Sequence, residues 1–177
     1  MSERKGVSGS RGHQERVRTE VERRRKEAKS KGESFTALTD EQLSKKLKRK
    51  KSPMIIWQSW TSSAPRGGTV NYNVGIYNPD PAQWIWLFAH VFVGPGNIPA
   101  SPDEAVQAVD ARFPRLTQPK FAGLSINPTT TQSIAFSIPV PGGVETSNYM
   151  GNSVLFHSVW HDPGLYLDRS IFVFEVT

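Results

Sequence analysis

The sequence predicts an all-β protein, an antiparallel β-sandwich that follows a basic N-terminal arm. Beyond Pro53, apolar and polar residues alternate with a period of two, and short apolar runs are separated by turns rich in glycine and proline. The charge of the chain also changes sign near this residue. A chain of 177 residues can bury one ordinary core. We therefore expect a basic arm over residues 1–52 and a sandwich domain over residues 53–177.

The arm has the composition of charged helices without a core of their own. Residues 1–12 are rich in glycine and serine, which predicts a flexible leader. Over residues 15–29, opposite charges lie three or four positions apart, which predicts a helix supported by ion pairs of about 0.2–0.5 kcal/mol each. Thr39 followed by Gln42 is a capping-box pattern, and it predicts a second short helix that ends before Pro53.

Seven strands are predicted in the sandwich domain. Residues 70–76 alternate most clearly, and residues 83–93 are apolar at both parities, as in a strand covered on both faces. Residues 101–104 place serine at an N-cap, proline at N1 and glutamate at N3, which predicts a short inserted helix over residues 102–111. The remaining strands are expected near residues 54–62, 121–126, 131–139, 153–160 and 169–176.

Four segments of this domain carry a resemblance to a known family. They are Gly68–Val74 running into Asn78-Pro79, Ile126-Asn127-Pro128 running into Ser133–Pro139, Val154–Trp160 and Phe172–Phe174. Together they resemble the bacterial and archaeal Ig-like β-sandwiches of the cell-adhesion-related type, over residues 67–176. The resemblance implies a structural or interaction module without catalytic residues. An Ig-like and a jelly-roll-type sandwich both fit the pattern.

Positive charge is concentrated in the arm. Up to residue 52 there are 17 Lys and Arg against 8 Asp and Glu, a net charge of +9, and the rest has 5 against 8, a net charge of −3. This asymmetry predicts sequence-independent, salt-sensitive binding of nucleic acid or another polyanion, with a solvated tail as the alternative. The predicted binding residues are Arg23, Arg24, Arg25, Lys26, Lys45, Lys46, Lys48, Arg49, Lys50 and Lys51.

Aromatic residues predict a contact surface on the sandwich. The strand over residues 83–93 has aromatic residues at one parity and aliphatic residues at the other, whereas a sandwich covers only one face of each sheet. The second face predicts contact with another subunit or a protein partner, unless the helix over residues 102–111 or a helix of the arm covers it. The predicted interface residues are Trp57, Trp60, Trp84, Trp86 and Phe88.

Motifs that carry chemistry are scarce. The chain has no cysteine, which excludes disulfides and thiol catalysis. His157 and His161 lie about 13 Å apart if both are on one strand, too far to bind one metal ion. Neither a nucleophile elbow nor a phosphate-binding glycine loop is present. We therefore expect no catalytic residue, no metal and no cofactor.

Three functions stay open at this level. The first is a non-enzymatic structural or assembly protein, as in a small coat protein, whose arm binds nucleic acid and whose sandwich makes subunit contacts. The second is a cellular Ig-like protein-binding module with the arm as a tether. The third is a hydrolase with a concealed triad that uses His90 or His157. No signal peptide or membrane-spanning run is visible, so we expect a cytoplasmic location or one within a virus-like particle.

Overall fold

The computed structural model contains two helices and nine strands among the residues that it describes. These are residues 5–49, 53–81, 85–93, 107, 117–140, 142–143, 148–158 and 168–177. In chain order the elements are α1 (Lys5–Lys31), β1 (Ser34–Ala37), α2 (Asp40–Arg49), β2 (Met54–Trp60), β3 (Ser63–Ala64), β4 (Thr69–Tyr77), β5 (Ile85–Val93), β6 (Thr117–Ile126), β7 (Thr131–Pro139), β8 (Asn148–Ser158) and β9 (Asp168–Val176). Within the described chain, neither helix combines the length and apolarity that crossing a membrane requires.

The strands form two sheets that confirm the predicted β-sandwich. The first sheet has the order β1-β2-β4-β7, and the second has the order β3-β9-β8-β5-β6. All pairings are antiparallel except that of β3 with β9. In immunoglobulin nomenclature, β2, β4 and β7 correspond to strands A, B and E, which face strands G, F, C and C′. Strand order therefore favours the Ig-like alternative over the jelly roll.

The core between the sheets comes from the residues that the period of two points inward. Val70, Tyr72, Val74 and Ile76 of β4 are fully buried, and they pack against side chains of β7 and β9. The ring of Tyr72 stacks on that of Phe172, with 4.0 Å between the centroids. Burial raises the pKa of Tyr72 well above its ordinary value.

Side chains of β2 close one edge of the sandwich. Gln58 Nε2 donates to the carbonyl of Ile171 at 2.9 Å, and Trp60 Nε1 donates to the carbonyl of Val173 at 2.8 Å. The Gln58 amide oxygen accepts a hydrogen bond from the Tyr72 hydroxyl at 2.9 Å. These bonds satisfy backbone carbonyls along the part of β9 that β3 does not cover, where another chain could otherwise pair.

Helices α1 and α2 and strand β1 pack on the sandwich instead of forming a separate arm, although the sequence predicted a domain boundary at Pro53. Strand β1 pairs with β2 along Ser34–Ala37, and the two helices pack on the outer face of the first sheet. A second apolar cluster joins them to that sheet; its members are Val17, Val21, Leu43, Met54, Ile56, Trp57 and Tyr77. The helices need few apolar residues to dock, because the sheet supplies four of the seven members of this cluster. We call α1 and α2 the helical layer.

Most predicted elements are confirmed, with two corrections. The charged helix includes residues 5–12, which therefore do not form a flexible leader. The short strands β1 and β3 were not predicted from the sequence. The predicted helix over residues 102–111 lies outside the described residues apart from Gln107, which is helical.

Candidate polyanion-binding surface

A β-bulge in β2 turns Trp57 toward the helical layer. The pairing of β2 with β4 shifts between Ile55 and Trp57, so that Ile55 lies opposite Ile76 and Trp57 lies opposite Gly75. The extra residue interrupts the alternation of faces. As a result Ile56 and Trp57 both join the outer cluster, while Ile55 and Trp60 join the core between the sheets.

The Trp57 indole is buried, and its Nε1 has no hydrogen-bond partner among the described residues. It is 2% exposed and lies directly on Gly75, where an added Cβ would come within 2.1 Å of Nε1. The Arg24 guanidinium lies 4.9 Å from the indole centroid, and the Phe35 ring stacks at 6.3 Å. Trp57 therefore anchors α1 and β1 to the sheet by packing and a cation–π contact.

The arginines in the middle of α1 pair with carboxylates of the same helix. Arg23 and Arg24 both pair with Glu20, at 2.9 and 3.0 Å, and Arg24 also pairs with Glu27 at 3.2 Å. Arg25 pairs with Glu22, and its guanidinium lies over the Phe35 ring. Three of the predicted polyanion-binding residues thus already have partners. Phosphates of a ligand would have to compete with carboxylates one turn away, but Arg23 and Arg25 are more than half exposed, so their part in polyanion binding stays a prediction.

Lys26 and Lys29 are exposed on the same half of α1, and within the described structure neither has a carboxylate partner. The adjacent Lys31 differs, because it pairs with Glu27 at 2.8 Å. That bond from Lys31 is the main cause of the lowered pKa of Glu27.

The N-terminal half of α1 is held by two polar contacts. Arg16 donates to the Thr129 hydroxyl at 2.8 Å, in the turn between β6 and β7 where Thr129 has a left-handed φ of 53°. The ring nitrogen Nδ1 of His13 is hydrogen bonded to the Tyr77 hydroxyl. Burial, together with the charge of Arg16, lowers the pKa of His13, so the folded state favours the neutral imidazole.

Helix α2 begins and docks through side-chain hydrogen bonds. The predicted capping box is confirmed: the Gln42 backbone donates to Thr39 Oγ1 at 3.2 Å, and the Thr39 backbone donates to Gln42 Oε1 at 3.0 Å. Lys46 donates to Asp168 of β9 at 2.6 Å, and the same carboxylate accepts from the backbone of Ile55 at 2.9 Å. Lys46 is thus a structural cation, although it was predicted to bind the polyanion.

Two contacts set the relative direction of the helices. Gln14 is hydrogen bonded to Ser44, and Arg18 pairs with Asp40 at 2.7 Å. Later residues of α1 therefore lie beside earlier residues of α2. The helices are therefore antiparallel. One further turn beyond the first contact brings Arg11 of α1 and Lys48 of α2 to the same end of the layer.

We call this end, formed by Arg11, Lys45 and Lys48, the basic end. Lys45 pairs with Glu41 at 2.7 Å, but both side chains are more than half exposed, so the pair is weak. Arg11 and Lys48 are exposed, and within the described residues neither has a carboxylate partner. The predicted residues Arg49, Lys50 and Lys51 follow directly in sequence, with side chains outside the described set.

The predicted aromatic interface is corrected in part. Trp57 and Trp60 are 2% and 8% exposed, one beneath the helical layer and the other in the core, so neither is available to a partner. Trp84 lies outside the described residues, and so do the side chains of Trp86 and Phe88. For these three positions the interface stays a prediction.

A cleft between α2 and the β2–β9 edge is lined by long polar side chains that already have partners. Its volume is about 210 Å³, and Gln42, Lys46 and Gln58 contribute the longer polar side chains of its lining. Each of them is already bound, to Thr39, to Asp168 and to Tyr72 respectively. In the described part of the chain, no cluster of His, Asp and Glu could hold a metal ion. The side chains of His90 and His157, on which the hydrolase hypothesis depends, are outside that part.

The chain is similar to parts of several solved structures at low sequence identity. No family model and no curated protein matches it. Among solved structures, a Bacteroides uniformis beta-glucuronidase aligns at 12% identity and a TM-score of 0.46, covering 70% of this chain but 13% of the enzyme. The C-terminal domain of wzt aligns at 11% identity and a TM-score of 0.48, covering 82% of this chain and 78% of that domain. At this level of similarity no function can be transferred.

Proposed function

We propose that the chain is a non-enzymatic binding module that holds a polyanion, with single-stranded nucleic acid first among them, at the basic end of its helical layer. The observation that carries the proposal is the distribution of unpaired charge. Arg23, Arg24, Arg25 and Lys46 each have a carboxylate partner within the protein, whereas Arg11 and Lys48, which the antiparallel packing of the helices brings to one end, have none in the described structure.

The docking of the layer supports this role. Flexible cations lose conformational entropy when they bind a polymer, whereas cations on a packed helix have lost part of it already. Trp57, Arg16 and Lys46 fix the layer to both sheets. Binding through such a site depends on phosphate contacts, so it is independent of base sequence and falls steeply with salt.

The test is a salt titration of binding to a single-stranded RNA of about 20 nucleotides. The double variant Arg11→Gln/Lys48→Gln removes two unpaired charges from the basic end. The matched control, Lys26→Gln/Lys29→Gln, removes two unpaired charges from the other half of α1. For single strands the slope of log K against log salt is about −0.7 per phosphate contact, so the first variant is expected to make the slope less negative by about 1.4 and the control to leave it near the wild-type value.

Two results contradict the proposal. If both variants lose the same amount of affinity and salt dependence, the RNA is attracted diffusely to a basic surface without a defined site. Absence of binding by the wild-type chain at about 50 mM salt excludes nucleic acid as the polyanion. Anionic vesicles, titrated in parallel, distinguish a membrane surface from a polymer.

A further inference from the structure

Three of the four sheet edges carry features that prevent pairing with another strand. Strand β1 has four residues and is too short to be an effective template. Strand β3 has two and covers only the end of β9, and the side chains of Gln58 and Trp60 occupy carbonyls along the rest of that edge. Strand β6 is longer, but it contains Pro119 and Lys120 and an irregular register against β5. Short strands, prolines, lysines and bulges are the usual means by which proteins protect sheet edges.

The fourth edge, β7, lacks these features. Its nine residues, Thr131–Pro139, contain no charged side chain, and the only proline is the last residue. Its pairing with β4 is continuous over all nine positions, without a bulge. The sheet order ends at β7, so in the described chain its outer edge has no strand partner. Ile134 is only partly buried there, although it packs against the core.

We propose that a second copy of this chain pairs antiparallel with β7 along this edge. The sequence of β7 fits itself around a two-fold axis at Ala135. On the outer face, Ser133 then lies opposite Ser137 of the second copy. On the core face, Ile134 lies opposite Phe136 of the second copy, which covers the exposed part of Ile134. No like charges meet, and an apolar or aromatic cross-strand pair contributes about 0.2–1 kcal/mol.

This geometry makes one continuous sheet of two four-stranded halves. An antiparallel edge pairing has its two-fold axis perpendicular to the sheet, so both helical layers lie on the same face. Arg24 of α1 reaches Ser133 of β7 at 3.2 Å, which places the two basic layers close to the axis. Their repulsion weakens with salt, so the dimer is expected to tighten as salt rises, the opposite of polyanion binding.

The experiment is sedimentation equilibrium of the full chain at up to about 100 µM in about 0.3 M salt, where screening is strong. Ala135→Lys and Ala135→Glu each place like charges opposite one another at the axis. Thr69→Lys is the matched control, since Thr69 is exposed on the same sheet face but on an inner strand. We expect wild type and Thr69→Lys to be dimers, and each Ala135 variant to dimerise at least about tenfold more weakly.

Mixing the two Ala135 variants completes the test. Opposite charges directly across the axis attract, so the mixture is expected to recover the dimer that each variant alone has lost. This recovery also shows that neither substitution has unfolded the chain. A monomeric wild type at about 100 µM overturns the proposal. A dimer that survives in both Ala135 variants, or that Thr69→Lys disrupts equally, also overturns it.

Discussion

Replacing Gly75 by alanine tests directly how the helical layer is held. The added methyl carbon would lie 2.1 Å from Nε1 and 2.2 Å from Cε2 of Trp57, where ordinary contacts are at least about 3.4 Å. The indole therefore has to retreat by more than about 1 Å. It cannot do so freely, because the Arg24 guanidinium and the Phe35 ring enclose it.

The structure gives bounds on the cost. Overpacking a close-packed site costs about 1–3 kcal/mol, and complete loss of a buried tryptophan costs about 3–5 kcal/mol. Because the ring is rigid and enclosed, the cost of displacing it is expected to lie where these two ranges meet. We expect Gly75→Ala to lower the free energy of unfolding by about 3 kcal/mol, and the content of α-helix to fall earlier in the transition than that of the sandwich.

Gly12→Ala is the matched control, because it makes the same chemical change on the exposed face of α1. Nothing lies within 4 Å of a Cβ at Gly12, and alanine is favoured over glycine in a helix by about 1 kcal/mol. The two substitutions are thus expected to have opposite signs in urea titrations followed by circular dichroism. A Gly75→Ala protein within about 0.5 kcal/mol of wild type would refute the packing of Trp57 on Gly75.

Further predictions concern buried polar groups. The pKa of His13 is lower in the folded protein than in the unfolded chain, so the unfolded chain binds a proton more readily as the pH falls. The contribution of His13 to the free energy of unfolding is therefore fully present above about pH 6.5 and is lost as the pH drops below it. His13→Gln removes this dependence in urea titrations at about pH 5 and 7.5. Tyr72→Phe leaves the amide oxygen of Gln58 without its donor and costs about 1–3 kcal/mol, measured by thermal and urea unfolding. Trp57→Phe removes the unpartnered Nε1 but keeps an aromatic ring, so it lowers the free energy of unfolding by less than about 1.5 kcal/mol, against about 3–5 kcal/mol for Trp57→Ala. Equal losses of free energy in the two variants would show that an aromatic ring at this position contributes nothing to stability.

The strands of the sandwich could be predicted from the sequence because their pattern is local. Alternation in β4 follows from side chains a few residues apart. The strand ends before Asn78, whose buried amide donates to the carbonyls of Ile126 and Asn127 and accepts from the backbone of Asp80. The capping box at Thr39 is a local motif of the same kind.

The docking of the arm could not be predicted, because it depends on a contact between distant residues. Val17, Val21 and Leu43 alone give too little apolar surface to dock two helices. The bulge in β2 adds Ile56 and Trp57 to the sheet face on which they pack. A one-residue bulge has no strong sequence signal, and a strict period of two assigns Trp57 to the wrong face.

The candidate site was predicted at the level of charge but not of position. The basic clusters are visible in the sequence, yet ion pairs within α1 show which cations are occupied. The spacing of Glu20, Glu22 and Glu27 three or four residues from the arginines indicated such pairs. The role of Arg11 depends on the antiparallel packing of α1 and α2, which the sequence does not reveal.

Native-state hydrogen exchange of α1 tests most directly whether the basic segment is a layer of the fold. Helices that are not packed exchange their amide protons almost as fast as free peptides, whereas packed ones share the protection of the core. The amides of Val17, Val21 and Ala28 are expected to be protected to within about 1–2 kcal/mol of those of β4. Exchange of these amides at free-peptide rates, with β4 still protected, would contradict the docked helical layer and the basic end built on it.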